Sequence, residues 1–217
     1  MNAYTATMTD KSTLSRERIL LTAGIAVPIL YYGNLLVSSL FYPGYNHITQ
    51  YASELGGPDA TWPAIFNTTV VLLGICGIAA GFGYTLALRR LTGKTALPVL
   101  AGLLLGLFGV AMVMGGLFPM PDERHGAYGL GMAVQLAPLF LWLALRKYEG
   151  LRGLKIFLLA IFVVSLAFFA IMMGVGQMVT RANVGLFQRM YSLTTFPWIG
   201  IASYCLRREV GAGGAEV

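Results

Sequence analysis

The chain reads as an all-α polytopic membrane protein, a bundle of six transmembrane helices with its N-terminus and C-terminus both cytoplasmic. Three observations lead there. Of 217 residues, 57% are hydrophobic and 11% charged, whereas a soluble domain carries roughly 25% charged residues. Six windows are apolar over the length that crosses a bilayer, about 20 helical residues for some 30 Å of hydrocarbon. Lys and Arg, finally, are divided unevenly among the connections. This composition excludes a soluble enzyme or a nucleic-acid module.

Residues 1–18 are polar and end in Lys11, Arg16 and Arg18. They lack the short apolar stretch and small-residue cleavage site of a signal peptide, so a cytoplasmic leader is expected. One domain, 19–206, follows, with spans at 19–41, 64–88, 96–118, 125–145, 155–177 and 190–206. Residues 207–217, ending GAGGAEV, are expected to be a flexible cytoplasmic tail. Pro28, Pro98, Pro138 and Pro197 fall inside spans, where neighbouring helices re-satisfy the freed backbone groups. Gly77 and Gly81, like Gly102 and Gly106, have the four-residue spacing that lets two helix backbones approach closely. Cys76 and Cys205 lie at different depths and read as small buried hydrophobes.

The leader, the 89–95 and 146–155 turns and the tail hold twelve of the fifteen Lys and Arg residues. The connections at about 42–63, 119–124 and 178–189 hold only Arg124, Arg181 and Arg189. By the positive-inside rule those three connections face outward. Topology thus accounts for the net charge of +6, and no nucleic acid is expected as a partner.

The outer connections concentrate the chemistry. The first carries His47, Ser53, Glu54 and Asp59 among tyrosines, Leu55 and Trp62, a texture that predicts a folded segment lying on the bundle. The second packs Asp122, Glu123, Arg124 and His125 together, and the third supplies Asn183, Gln188 and Arg189. Within the spans Asn34, Asn67, Gln135 and Gln177 need partners, because buried amides are costly unless hydrogen-bonded. Eight of the ten methionines fall in or beside the outer halves of the last four spans. Thioethers fill irregular space, which predicts loose packing or an apolar cavity for a lipid tail; soft ligation of copper(I) is the other reading.

The SELG of Ser53 to Gly56 after a His, the IFN of Ile65 to Asn67, the FP of Phe118 and Pro119, Asp122, the HG of His125 and Gly126, and the GLFQR of Gly185 to Arg189 occur in that order. Together they resemble the bacterial and archaeal membrane-protein family catalogued as domain of unknown function 998. Its members often carry Glu where this chain has Gln188. The resemblance covers 19–206 and implies six helices with no established activity. The serine-acidic-x-Gly loop also resembles that of the DRAM-type six-helix proteins, which are associated with autophagy and lipid regulation.

These residues predict an outward-facing polar site of His47, Ser53, Glu54, Asn67, Asp122, Arg124, His125 and Arg189 above an apolar cavity. Such a site would bind a lipid or other amphiphile in a regulatory or accessory role. The alternative is an intramembrane hydrolase or transferase on a lipid-like substrate, in which Glu54 or Asp122 orients His125 as general base and Arg189 stabilises developing charge. A structural or assembly subunit is the third reading. No cofactor is assigned, and no tight ligand spacing assigns a metal. The partners expected are membrane lipids and either another membrane protein or a second copy of the chain, in the cytoplasmic membrane of a prokaryote.

Overall fold

The computed structural model describes residues 3–213. Among them the regular elements are all helical: α1 (Ala3–Ser39), α2 (Pro63–Thr92), α3 (Ala96–Leu117), α4 (Ala137–Leu145), α5 (Arg152–Met172), α6 (Val184–Thr195) and α7 (Pro197–Gly213). Short 3-10 segments cover Ala52–Gly56, Glu123–Gln135 and Val175–Gln177. Among the described residues, five stretches are long and apolar enough to cross a membrane: Leu14–Ser39, Pro63–Thr92, Ala96–Leu117, Glu123–Leu145 and Arg152–Met172. The chain is an all-helical membrane protein.

The apolar windows and the helices do not coincide everywhere. The window 190–206 is not one rod, because Pro197 has no N–H to continue the ladder. The run divides there into α6, of 12 residues, and α7, of 17. The window 125–145 is broken as well. Ala127, Tyr128 and Gly129 have φ of 46°, 52° and 82°, and α-helix begins only at Ala137. Gly126, Gly129 and Gly131 make that stretch a poor helix former. The fifth span ends at Met172, and Gly174 (φ 97°) and Gly176 (φ 76°) turn the chain before position 177.

The ends differ from expectation too. Residues 3–18 of the expected leader are helical and continuous with the first span, since α1 runs from Ala3 through Pro28 to Ser39. Its side chains are described from Leu14 onward, and Glu17, only 3% exposed, pairs with Arg90 (Nε–Oε2 3.0 Å). The expected flexible tail is helical as far as Gly213. Leu206 and Val210, four apart on one face, are buried in the core. Residues 214–217 lie outside the described residues. Gly185 to Arg189, expected in a connection, form the first turns of α6.

The closest packing is between α2 and α3, along facing glycines. A Cβ on Gly74 would lie 2.6 Å from the Gly109 carbonyl oxygen, and one on Gly81 2.5 Å from that of Gly102. Nothing larger than hydrogen fits. Leu73, Tyr84, Leu105, Phe108, Leu141, Trp198 and Ile199 fill the core, and the Tyr84 hydroxyl donates to the Ile199 carbonyl (2.8 Å). Cys76 and Cys205 are free thiols.

Two ends result. At the basic end Glu17 holds Arg90, and the Tyr148 hydroxyl donates to Glu209 (2.7 Å). These contacts gather the start of α1, the end of α2, the α4–α5 turn and the end of α7. The opposite end carries the first connection, the start of α2, the end of α3 and the start of α6.

Candidate functional site

The first connection is folded, as its aromatic texture predicts. Leu55 is 1% exposed and packs with Leu35, Ala52, Phe66 and Val70. Glu54 serves this turn: its carboxylate accepts from the Tyr51 N–H (2.7 Å) and the Gln50 amide (2.9 Å). Asn67 reaches up from α2 to donate to the Gly56 carbonyl (2.9 Å). Asn34 meets α2 backbone, donating to the Phe66 carbonyl (3.1 Å) and accepting from Ser38 (2.8 Å).

Helix α6 is clamped onto the same connection. The Leu186 N–H donates to the Ile48 carbonyl (2.9 Å), and a Cβ on Gly185 would lie 2.6 Å from the His47 carbonyl oxygen. The Arg189 guanidinium donates to the Gln50 carbonyl (2.8 Å), the Gly185 carbonyl (2.9 Å) and the Tyr45 hydroxyl. Its charge therefore faces the first connection. Partial desolvation and then that charge hold the His47 imidazole below its ordinary pKa, while burial raises Tyr45. His47 itself is exposed, edge-on to Tyr45.

The second connection closes on itself. Arg124 holds Asp122 through two side-chain bonds (2.9 and 2.7 Å) and lies 3.8 Å over the Phe118 ring. Hydrogen bonds from Arg124, side chain first, bring Asp122 down to about 2. The His125 Nδ1 sits 3.0 Å from the Phe118 carbonyl oxygen. A carbonyl only accepts, so Nδ1 carries the proton.

Between these pieces lies a cavity of about 390 Å³, in the size range of small-molecule sites. Tyr31, Phe66, Val70, Phe108, Phe169 and Phe196 wall it, Tyr31 stacked on Phe196 at 3.6 Å between centroids. Met112, Met132, Met172 and Met173 complete the apolar lining. Ser53, His125 and Gln188 reach it from the first connection, the second connection and α6.

Of the eight predicted site residues, Ser53 and His125 thus line one cavity. Glu54, Asn67 and Arg189 brace the connections around it, Asp122 and Arg124 pair outside it, and His47 is on the surface. Gln188 was not among the eight, although the GLFQR motif contained it. Its side-chain oxygen accepts from the Ala52 N–H (2.7 Å). Gln135 found partners in Ser165 and Tyr191, whereas Gln177 is exposed in a turn.

No curated protein and no solved structure matches the chain. The family described as "Protein of unknown function (DUF998)" matches residues 25–204, most of the chain and every element of the cavity, and the chain belongs to that family.

Proposed function

We propose that this protein binds a lipid or other amphiphile in the cavity, in a regulatory or accessory role. The observation that carries the reading is the cavity itself, with aromatic and methionine walls and a few polar side chains, Ser53, His125 and Gln188 among them. An amphiphile needs an apolar space with a few convergent polar groups. Native mass spectrometry of the protein released from membranes should find a bound amphiphile. Ala111→Met, which pushes a thioether into the cavity, should deplete that species severalfold. Equal occupancy in wild type and variant would refute the assignment.

The topology proposed with it has six crossings, α6 and α7 together making the sixth, with both termini cytoplasmic and the cavity toward the outer face of a prokaryotic cell membrane. The twelve-to-three division of Lys and Arg supports it. In a Cys-free background, a cysteine at Asp59 should react with an impermeant reagent from outside and one at Lys94 should not. The reverse pattern would invert the assignment.

A hydrolase or transferase is the second reading, favoured by Ser53 and His125 sharing one cavity. It lacks the expected acid, because Glu54 is held by Gln50 and Tyr51, Asp122 by Arg124, and His125 by a carbonyl. Loss of turnover of a lipid ester in His125→Phe, with binding retained, would promote it.

A further inference from the structure

We infer that the head group taken by this cavity is uncharged and hydroxyl-bearing, as in a long-chain or isoprenoid alcohol, and that His125 and Gln188 read it. The inference rests on the amphiphile reading above and narrows it. A basic outer rim would ordinarily point to a phosphate or carboxylate head, so the arginines decide the matter.

Neither Arg124 nor Arg189 lines the cavity, and each is turned to other partners. Arg189 spends its terminal nitrogens on Gln50, Gly185 and Tyr45, and its Nε is buried without a partner. Arg124 is committed to Asp122 and the Phe118 ring. The cavity lining contains no Arg, Lys, Asp or Glu. An ionised head group would enter an apolar site with no counter-charge, which is strongly unfavourable.

The neutral groups are then sorted by the bonds they already make. Ser192 and Thr195, one and two turns along α6 from Gln188, return their hydroxyls to the Arg189 and Tyr191 carbonyls (2.7 and 3.0 Å). The Tyr31 hydroxyl is set against Ser192. His125 is fixed by the Phe118 carbonyl with its proton on Nδ1, which in the imidazole form leaves Nε2 as the acceptor. Gln188 is fixed by the Ala52 N–H with its oxygen occupied, so it offers only N–H donors. Ser53 gives its hydroxyl to the Met120 sulfur (3.0 Å), a weak acceptor that a ligand oxygen displaces. His125 as acceptor and Gln188 as donor in the same apolar space match a hydroxyl, which donates and accepts.

The test uses the full chain in phosphatidylcholine nanodiscs and a diazirine-bearing dodecanol as photoaffinity probe, with cross-links mapped to the cavity wall. Dodecanol should compete at least about tenfold better than dodecyl phosphate, the difference expected when one arm must bury an unpaired charge. Gln188→Glu keeps an oxygen for the Ala52 N–H but replaces the donor with a carboxylate. It should weaken dodecanol competition about tenfold, one unmade hydrogen bond, and make dodecylammonium the better competitor. That gain cannot come from misfolding. Stronger competition by dodecyl phosphate in the wild type, or an unchanged ranking in Gln188→Glu, would overturn the uncharged head group and leave the amphiphile reading standing. Cavity cross-linking that no competitor reduces, and that Ala111→Met leaves intact, would overturn the amphiphile reading itself.

Discussion

The two ends of the bundle use arginine in opposite ways. At the basic end Glu17 is taken by Arg90 and Glu209 by Tyr148. Arg18 and Arg207 are left beside an open groove between α1 and α7, the Nε of Arg207 buried without a partner. At the cavity end Arg124 and Arg189 are engaged by a carboxylate, backbone carbonyls and aromatic rings. Arg18 presents its charge at one end, whereas Arg124 and Arg189 spend theirs at the other. An arginine count therefore speaks to topology at the first end and to architecture at the second, and at neither does it name a ligand for the cavity.

The largest expected effect follows from that contrast. Arg189→Ala removes three donors from a half-buried site and leaves the Gln50 carbonyl unpaired. A charge-assisted bond lost from such a place costs on the order of 3 kcal/mol. Arg18→Ala at the exposed basic groove should change stability by less than about 0.5 kcal/mol. Thermal unfolding of both variants in the same detergent measures the difference. Equal losses would erase the distinction between the ends.

Asn67→Ala is next. Its amide is the tie from α2 to the Gly56 carbonyl, and the space beside Gly56 is already filled by the Asn67 carboxamide. Leaving that carbonyl without its donor should cost roughly 1 to 3 kcal/mol. The loss should appear as faster hydrogen exchange across 52–57, with the α2–α3 seam unchanged. Exchange that rises equally in both places would mean that the first connection is not held separately from the bundle.

Much of this was legible in the chain. Hydropathy located the apolar runs, and the glycine spacing foresaw a seam, although its closest approaches involve Gly74 and Gly109 as well as Gly81 and Gly102. The methionine asymmetry pointed to the cavity, and four of those methionines line it. Helix breaks were not legible, because a hydropathy window measures apolarity and cannot see that three consecutive left-handed residues follow Gly126. Partner choice was hidden as well. Asp122, Glu54 and Arg189 looked like one charged cluster, yet each found a nearer partner on its own connection or on backbone. Short-range hydrogen bonds outcompete longer charge pairing when water screens the latter. Gln188 was overlooked because an uncharged amide in a basic motif carries no electrostatic signal. Its role arises only when Ala52 fixes its oxygen.

The smallest effect sharpens the comparison at its most exposed point. Arg124 holds Asp122 down to about 2 from an ordinary 3.8. A carboxyl whose folded pKa lies below its unfolded one stabilises the fold above the unfolded value. That contribution fades as pH falls from about 4 toward 2 and is gone below both values. The pair stands in water, where salt screens it, so its part in stability at neutral pH is slight. Arg124→Gln should return Asp122 to the ordinary carboxylate range in a ¹³C-carboxyl NMR titration, with melting at pH 7 nearly unchanged and dodecanol cross-linking intact. Were that variant instead to admit dodecyl phosphate less well than the wild type does, Arg124 would be serving the cavity, and the claim that its charge is spent on Asp122 and Phe118 would fail.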